Sequence, residues 1–234
     1  MTARHYLVVG GSHGIGAGIV RRVLNDGHHV TIWSRTMGEF DSIPDGASHF
    51  EVDVTGEIPS GAMPESLDGL VYCPGSITLG PIRGVKLEQL ASDFELNVSG
   101  AVRCIQSALR PLKASGSGSI VMFSTVAVGQ GMPMHSVVAM VKGAIEGLTR
   151  TLAAELVPEV RVNAIAPALV DTPLAERLLS SDERRAAMDR RHPLGRVGTA
   201  DDIAAAAAYL LSPESSWVSG QVLGVDGGLS TLRV

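Results

Sequence analysis

Short apolar runs alternate along the chain with longer stretches in which apolar residues recur every three or four positions. HYLVVG (5–10) reads as a strand, and the helix after it gathers Ile15, Ile19, Val20, Val23 and Leu24 on one face. HHVTIWSR (28–35), SHFEVDV (48–54) and DGLVYCPG (68–75) read as further strands. Helical spacing then predicts one long helix over roughly Lys86 to Leu112, stopped at Pro111 because proline has no N–H to continue it. SGSIVMFST (117–125) is a strand, a helix carries Lys142 to about Leu156, and VRVNAIAP (160–167) is another strand. A helix over TADDIAAAAAYLLS (199–212) opens on Thr199 as N-cap, and GQVLGVDGG (220–228) holds a last strand. The strands are apolar nearly throughout instead of alternating, so both faces of the sheet must be covered. That predicts an α/β fold with a parallel sheet between two helical layers.

No repeat, linker or low-complexity tract divides the chain, which reads as a single domain over residues 1–234. Residues 54–67 carry two prolines and two glycines and are too broken for a crossover helix, so a loop is expected there. The alanines at 204–208 belong to a helix packed closely on a neighbour.

With 45% hydrophobic residues in 234, the chain can bury one sizeable core. Nineteen basic against twenty-four acidic residues leave a net charge of −5, which argues against a nucleic-acid binder, since that class normally shows a basic stripe. No run is long enough to span a bilayer, and the apolar stretch before the first glycines is too short for a signal-peptide core. A cytoplasmic protein is expected. Cys73 and Cys104 lie in apolar stretches and read as small buried hydrophobes, not as a disulfide. No histidine pair has ligand-like spacing with Cys, Asp or Glu, so no metal site is expected.

The chemistry starts in VVGGSHGIGAG (8–18), where Gly10, Gly14 and Gly16 stand between a strand and a helix. A chain that turns sharply and brings its backbone against a pyrophosphate can carry no Cβ there, and the helix N-terminus offers free N–H groups to the phosphates. The second strand ends in TIWSRT. A carboxylate at that point would hold the ribose 2′-hydroxyl of NAD, whereas a base accommodates the 2′-phosphate of NADP. Ser34 and Arg35 stand there, so NADP(H) is favoured over NAD(H), with His13 as a second phosphate neighbour and Asp53 near the adenine. Farther on, MPMHSVVAMVKG (132–143) places His135 and Lys142 seven residues apart, on one face if helical, with Val138 between them.

With these residues in place the chain resembles the short-chain dehydrogenase/reductase family over almost its whole length. The resemblance rests on GGSHGIG, Asp53 in EVDVT, Asn97 in FELNVSG, SIVMFST, Lys142 in AMVKGAIEGLTRTLAAEL, RVNAIAPALVDTP and GQVLGVDGG. It implies a Rossmann-like three-layer sandwich with a seven-stranded parallel sheet, a nicotinamide cofactor, a small-molecule substrate, and a homodimer or homotetramer built on the long helices. The cofactor positions it implies are Gly10, Ser12, His13, Gly14, Ile15 and Gly16 in the glycine loop, Ser34, Arg35, Asp53 and Val54 after the strands, and Cys73, Pro74 and Gly75. Pro167, Val170 and Thr172 match the segment that fixes the nicotinamide amide. Among catalytic groups, Asn97 corresponds to the residue that orders a proton-relay water and Lys142 to the one that holds the nicotinamide ribose. The hydroxyl that orients a substrate carbonyl falls by spacing on Thr125, with Ser124 beside it.

Two departures stand out. Where the family's fourth strand usually ends in Asn-Asn-Ala-Gly, this chain has Tyr72, Cys73, Pro74 and Gly75, which keeps only the glycine. The family's proton-transferring tyrosine lies four residues before the lysine, and that position is Val138. Enoyl-thioester reductases of the same superfamily place their tyrosine seven before the lysine, where this chain has His135. Histidine titrates near neutrality, and a positioned general acid contributes on the order of 10²–10⁴ in rate. A helix N-terminus and a nearby ammonium would oppose a charge on it. Residues of about 172–195 occupy the place of a substrate lid; arginines 184, 185, 190 and 191 either meet an acidic substrate or form a solvated face. Leu169, Leu174, Leu178, Met132 and Met134 suggest an apolar pocket. The expected function is an NADP(H)-dependent reductase of a carbonyl or an enoyl-type activated C=C, with His135 as candidate proton donor. The alternative is a weak or inactive member that binds NADP(H) as a sensor or oligomer partner.

Overall fold

The computed structural model describes residues 2–59 and 61–233. Seven parallel strands form one sheet in the order β3-β2-β1-β4-β5-β6-β7. The strands are β1 (His5–Val9), β2 (His29–Ser34), β3 (Ala47–Glu51), β4 (Gly69–Tyr72), β5 (Gly118–Phe123), β6 (Val160–Pro167) and β7 (Val222–Val225). The helices are α1 (Gly14–Asn25), α2 (Leu87–Phe94), α3 (Gly100–Ala114), α4 (Val126–Gly129), α5 (Ser136–Leu156), α6 (Asp182–Asp189) and α7 (Ala200–Leu211).

Alternation along the strands builds two cores from one sheet. On β1, Leu7 and Val9 join Ala101, Cys104 and Ile105 of α3 and Val141 and Ile145 of α5. Tyr6 and Val8 point the other way, to Ile19, Val20 and Val23 of α1 and Ile203, Ala204 and Ala207 of α7. The small residues of α7 let it approach α1 closely; a Cβ on Gly18 would stand 3.2 Å from that of Ala200. The expected three-layer sandwich is the fold.

Three boundaries differ from the expectation. The helix over 86–112 is α2 and α3 joined by a π-helical turn, Glu95–Ser99, and it runs past Pro111 to Ala114. A proline removes only the bond to the carbonyl four residues back, and this late in the helix the chain continues for one more turn. β3 stops at Glu51, and β7 keeps only Val222–Val225 of the longer stretch. The described residues of the loop expected over 54–67 form a loop, and residues 35–46, between β2 and β3, have no helix either. Trp33 compensates in part: it is fully buried, and its indole N–H donates to the Ala62 carbonyl at 3.0 Å, which draws that loop against the sheet. Among the described residues no helix is long and apolar enough to cross a membrane.

Candidate active site

The sheet order reverses between β1 and β4, so their C-terminal ends diverge and open a crevice. The glycine loop leaves β1 into that crevice. Gly10 (φ +72°) and Gly14 (φ +51°) are left-handed, and a side chain on Gly16 would collide with the Gly10 carbonyl. Pro74, after β4, packs 3.1 Å from where a Gly10 Cβ would be, and Thr172, at the lid's start, lies 3.1 Å from that of Gly14. His13 is the N-cap of α1 but gives no capping bond; its Nδ1 pairs with Ser12 Oγ at 2.9 Å.

The residues after β2 and β3 divide. Arg35 is exposed, and exposed Asp53 accepts the Thr55 N–H at 2.9 Å and hydroxyl at 2.7 Å, which hold its carboxyl below the usual range. Ser34, by contrast, spends its hydroxyl inward, donating to the Thr36 carbonyl at 2.8 Å and pairing with His49 Nε2 at 2.9 Å. Val54 has its side chain in the core, and its carbonyl accepts from Arg103 at 2.8 Å.

Deeper in, the π turn presents Asn97. Turns of this kind widen a helix locally and recur at functional sites. Both amide protons are committed, to the Asp93 carbonyl at 2.8 Å and to Ser76 Oγ at 3.0 Å, yet the buried Oδ1 has no partner among the described residues. A Cβ on Gly75 would lie 3.2 Å from Asn97 Oδ1 and 3.2 Å from Lys142 Nζ, so the absent side chain leaves room between an acceptor and an ammonium. Lys142 is 8% exposed, and burial pushes it down to about 8, with the Cys73 thiol working the other way. Burial lifts that thiol to about 12, so Cys73 offers no thiolate to balance the lysine at neutral pH. Lys142 has no hydrogen-bond or ion-pair partner among the described residues.

Lys142, Val138, His135, Thr125 and Cys73 all line one cavity of about 280 Å³. Thr125 caps α4, accepting a long 3.4 Å bond from the Ala127 amide, and its own proton stays free. Ser124 instead donates to Glu146 at 2.8 Å, so Thr125 is the hydroxyl with a proton to offer. His135 is the N-cap of α5, fixed by the Gly80 amide donating to the Met134 carbonyl at 2.8 Å. His135 Nδ1 donates to the Pro133 carbonyl at 2.7 Å. A carbonyl only accepts, so this bond puts a proton on Nδ1 and makes Nε2 the nitrogen that can gain or lose one.

Ile15, Pro167, Val170 and Thr172 line the same cavity, as do Met132, Leu169, Leu174 and Leu178. Met134 does not: it is 49% exposed at φ +71°. The segment expected as a lid is a 3₁₀ turn, Pro173–Leu178, followed by α6, with its own small core of Ala175, Leu179 and Val197. Of its arginines only Arg191 lines the cavity; Arg184 donates to Ser180 and Arg185 to Asp171, so these two brace the lid. Among the described residues no group of three His, Cys, Asp or Glu side chains could hold a metal ion.

Three residues escaped the sequence reading. Glu146, four after Lys142 on the same helix face, was accessible from spacing alone. His192 is buried beside the cavity, with Nδ1 donating to the Met188 carbonyl at 2.8 Å and Nε2 without a partner among the described residues. Glu39 reaches the glycine loop from the connection after β2, its carboxylate accepting from the Gly14 amide at 2.6 Å. No periodicity or motif marks it.

The chain is similar to known proteins over almost its whole length. The family profile described as enoyl-(acyl carrier protein) reductase matches residues 9–230. A tropinone reductase homolog from Arabidopsis thaliana is 33% identical over 96% of this chain and 92% of its own length. L-xylulose reductase from Bos taurus is 33% identical over 97% of each. Among solved structures, aldohexose dehydrogenase from Thermoplasma acidophilum superposes with a TM-score of 0.87 at 29% identity, over 99% of this chain and 95% of that one. A structure described as ElxO with NADP bound gives 0.88 at 26% identity, over 99% and 100%. Matched from the glycine loop to the last strand, the chain belongs to the short-chain dehydrogenase/reductase family of oxidoreductases.

Proposed function

We propose that the chain is an NADP(H)-dependent reductase of a carbonyl or an enoyl-type activated C=C, with His135 Nε2 as its proton donor. The observation that carries this reading is the shared cavity: His135, Val138, Lys142 and Thr125 line one space, and Val138, four residues before the lysine, has no proton to give. The chain's own features fit a nicotinamide dinucleotide. Gly10, Gly14 and Gly16 form the phosphate cradle, while the orphaned Asn97 Oδ1 and the unpaired Lys142 ammonium call for a donor and for acceptors. When bound in reduced form, the cofactor supplies the hydride. Lys142 donates to ribose hydroxyls, Asn97 Oδ1 holds a water, and Thr125 donates to the substrate oxygen. Protonated His135 then passes its Nε2 proton to the oxygen or carbon that takes up negative charge, and Nδ1–H stays on the Pro133 carbonyl.

Exposed Arg35, a base where the end of β2 has no acidic residue in the chain, supports NADP(H) over NAD(H), and a similar structure is described with NADP bound. The cavity's lining by Met132, Leu169, Leu174 and Leu178 favours an apolar small molecule. The resemblance also implies a homodimer or homotetramer. The test is a panel of ketones, aldehydes and enoyl thioesters followed by nicotinamide absorbance. His135→Ala should lower turnover at least about tenfold with NADPH affinity unchanged. Adding Val138→Tyr should restore part of the loss, because it puts a phenol one turn nearer Lys142. Unchanged turnover in His135→Ala would remove the histidine from the mechanism. NADPH binding with no turnover across the panel would leave the sensor reading, which the valine at 138 favours.

A further inference from the structure

The connection after β2 folds back over the glycine loop. The Glu39 amide donates to the Ser12 carbonyl at 2.9 Å, and the Glu39 carboxylate accepts from the Gly14 amide at 2.6 Å and from Arg21 at 2.7 Å. Arg21 in turn lies over the Phe40 ring, 5.3 Å from its centroid. The fit is built for close approach: Gly38 is left-handed at φ +61°, and a side chain there would collide with the Ser12 carbonyl and the His13 ring. α1 has no acidic residue in its first turn, so the anion at its N-terminus comes from this strap.

We propose that Glu39 is a selectivity residue for the coenzyme, a built-in carboxylate at the phosphate-binding loop that weakens binding of the 2′-phosphorylated form. The inference rests on the coenzyme reading above. An anion already holds a first-turn amide of α1 and neutralises Arg21, the cation about two turns along the same helix. An incoming phosphate meets a site whose positive ends are partly satisfied and whose nearest carboxylate repels it. The repulsion grows with ligand charge, so it falls hardest on the coenzyme with the extra phosphate. Arg35 and Glu39 therefore act in opposition: one base favours the 2′-phosphate, and one acid four residues later limits the preference. The strap also ties the chain after Arg35 to Ser12 and Gly14.

Glu39→Gln removes the charge and keeps an amide oxygen that can accept from Gly14. Equilibrium binding of NADPH and NADH, followed by nucleotide fluorescence, is the readout, and no turnover is needed. NADPH should bind about two- to fivefold more tightly to the variant, the range expected of one charge at a helix N-terminus, and NADH should gain less. Raising ionic strength should shrink the difference between wild type and variant. Unchanged or weaker NADPH binding, or an equal gain for both coenzymes, overturns the inference while leaving the reductase reading in place. If neither protein binds either coenzyme, the reductase reading fails first and the inference with it.

Discussion

At Lys142 one side chain carries two opposite dependences on pH. Burial brings its ammonium from 10.5 down to about 8 in the folded chain. Between about 8 and 10.5 the unfolded chain therefore holds a proton that the coenzyme-free fold has lost, so this group makes the empty protein more stable as pH rises through that window. Under the proposed function coenzyme binding runs the other way, because there the ammonium is the form that donates to the ribose hydroxyls. NADPH affinity should be highest below about 8 and fall above it, and Lys142→Met should bind more weakly with that step missing, as titrations from pH 6 to pH 10 (roughly two units on either side) would record. A wild-type affinity flat across that range would separate the lysine from the ribose. Of the residues expected at the site, Thr125, His135 and Lys142 line one cavity, because helical spacing and strand ends fix where their backbones go. The sequence did not reveal that Ser124 is spent on Glu146, that Asn97 Oδ1 is left without a donor, or that Glu39 sits on Gly14. Those are pairings between side chains far apart in the chain, set by packing and carrying no period.

The elements repeat this division. Thr199 is legible as an N-cap because a hydroxyl three residues ahead of an acid at a helix start has a local mechanism. The structure has the full box, with Thr199 Oγ1 accepting from the Asp202 amide at 3.2 Å and Asp202 accepting from the Thr199 amide at 2.7 Å. Asp202 is further held by Arg196 at 2.6 Å and 2.8 Å, which keeps its carboxyl far below the usual range. Thr199→Ala should cost about 1 kcal/mol in denaturant unfolding, with coenzyme affinity unchanged, since α7 packs on α1 and does not line the cavity. A loss of affinity equal to the loss of stability would show that α7 also shapes the glycine loop. The π turn at 95–99 was not legible, because one extra residue in a turn leaves the apolar face on either side almost in register. The broken stretch after β3 was legible as a loop from its prolines and glycines, but not that Trp33 would hold it against the sheet through the Ala62 carbonyl.

For the whole molecule, the site is where separate parts of the chain meet. The glycine loop after β1, the Cys73–Gly75 segment after β4, α5 and the start of the lid at Thr172 all border one crevice, and Thr172 already touches the glycine loop. In the unfolded chain these segments are far apart, so a dinucleotide bound across them stabilises only the native state. At a hundredfold excess over its dissociation constant, NADPH should add about 2.7 kcal/mol. For a chain of 234 residues each kcal/mol raises the melting temperature by about 2–4 °C, so NADPH should raise it by roughly 5–11 °C. Because the segment from Pro173 to Asp189 is braced by its own small core and by the Arg185–Asp171 pair, the melt should remain a single transition, with this segment and the sheet unfolding together. A scanning-calorimetry trace that splits on adding NADPH, with only the lower-melting part unmoved, would mean that the lid is a separate unit that the coenzyme does not reach. A single peak shifted upward places Thr172 and the glycine loop on the same bound ligand.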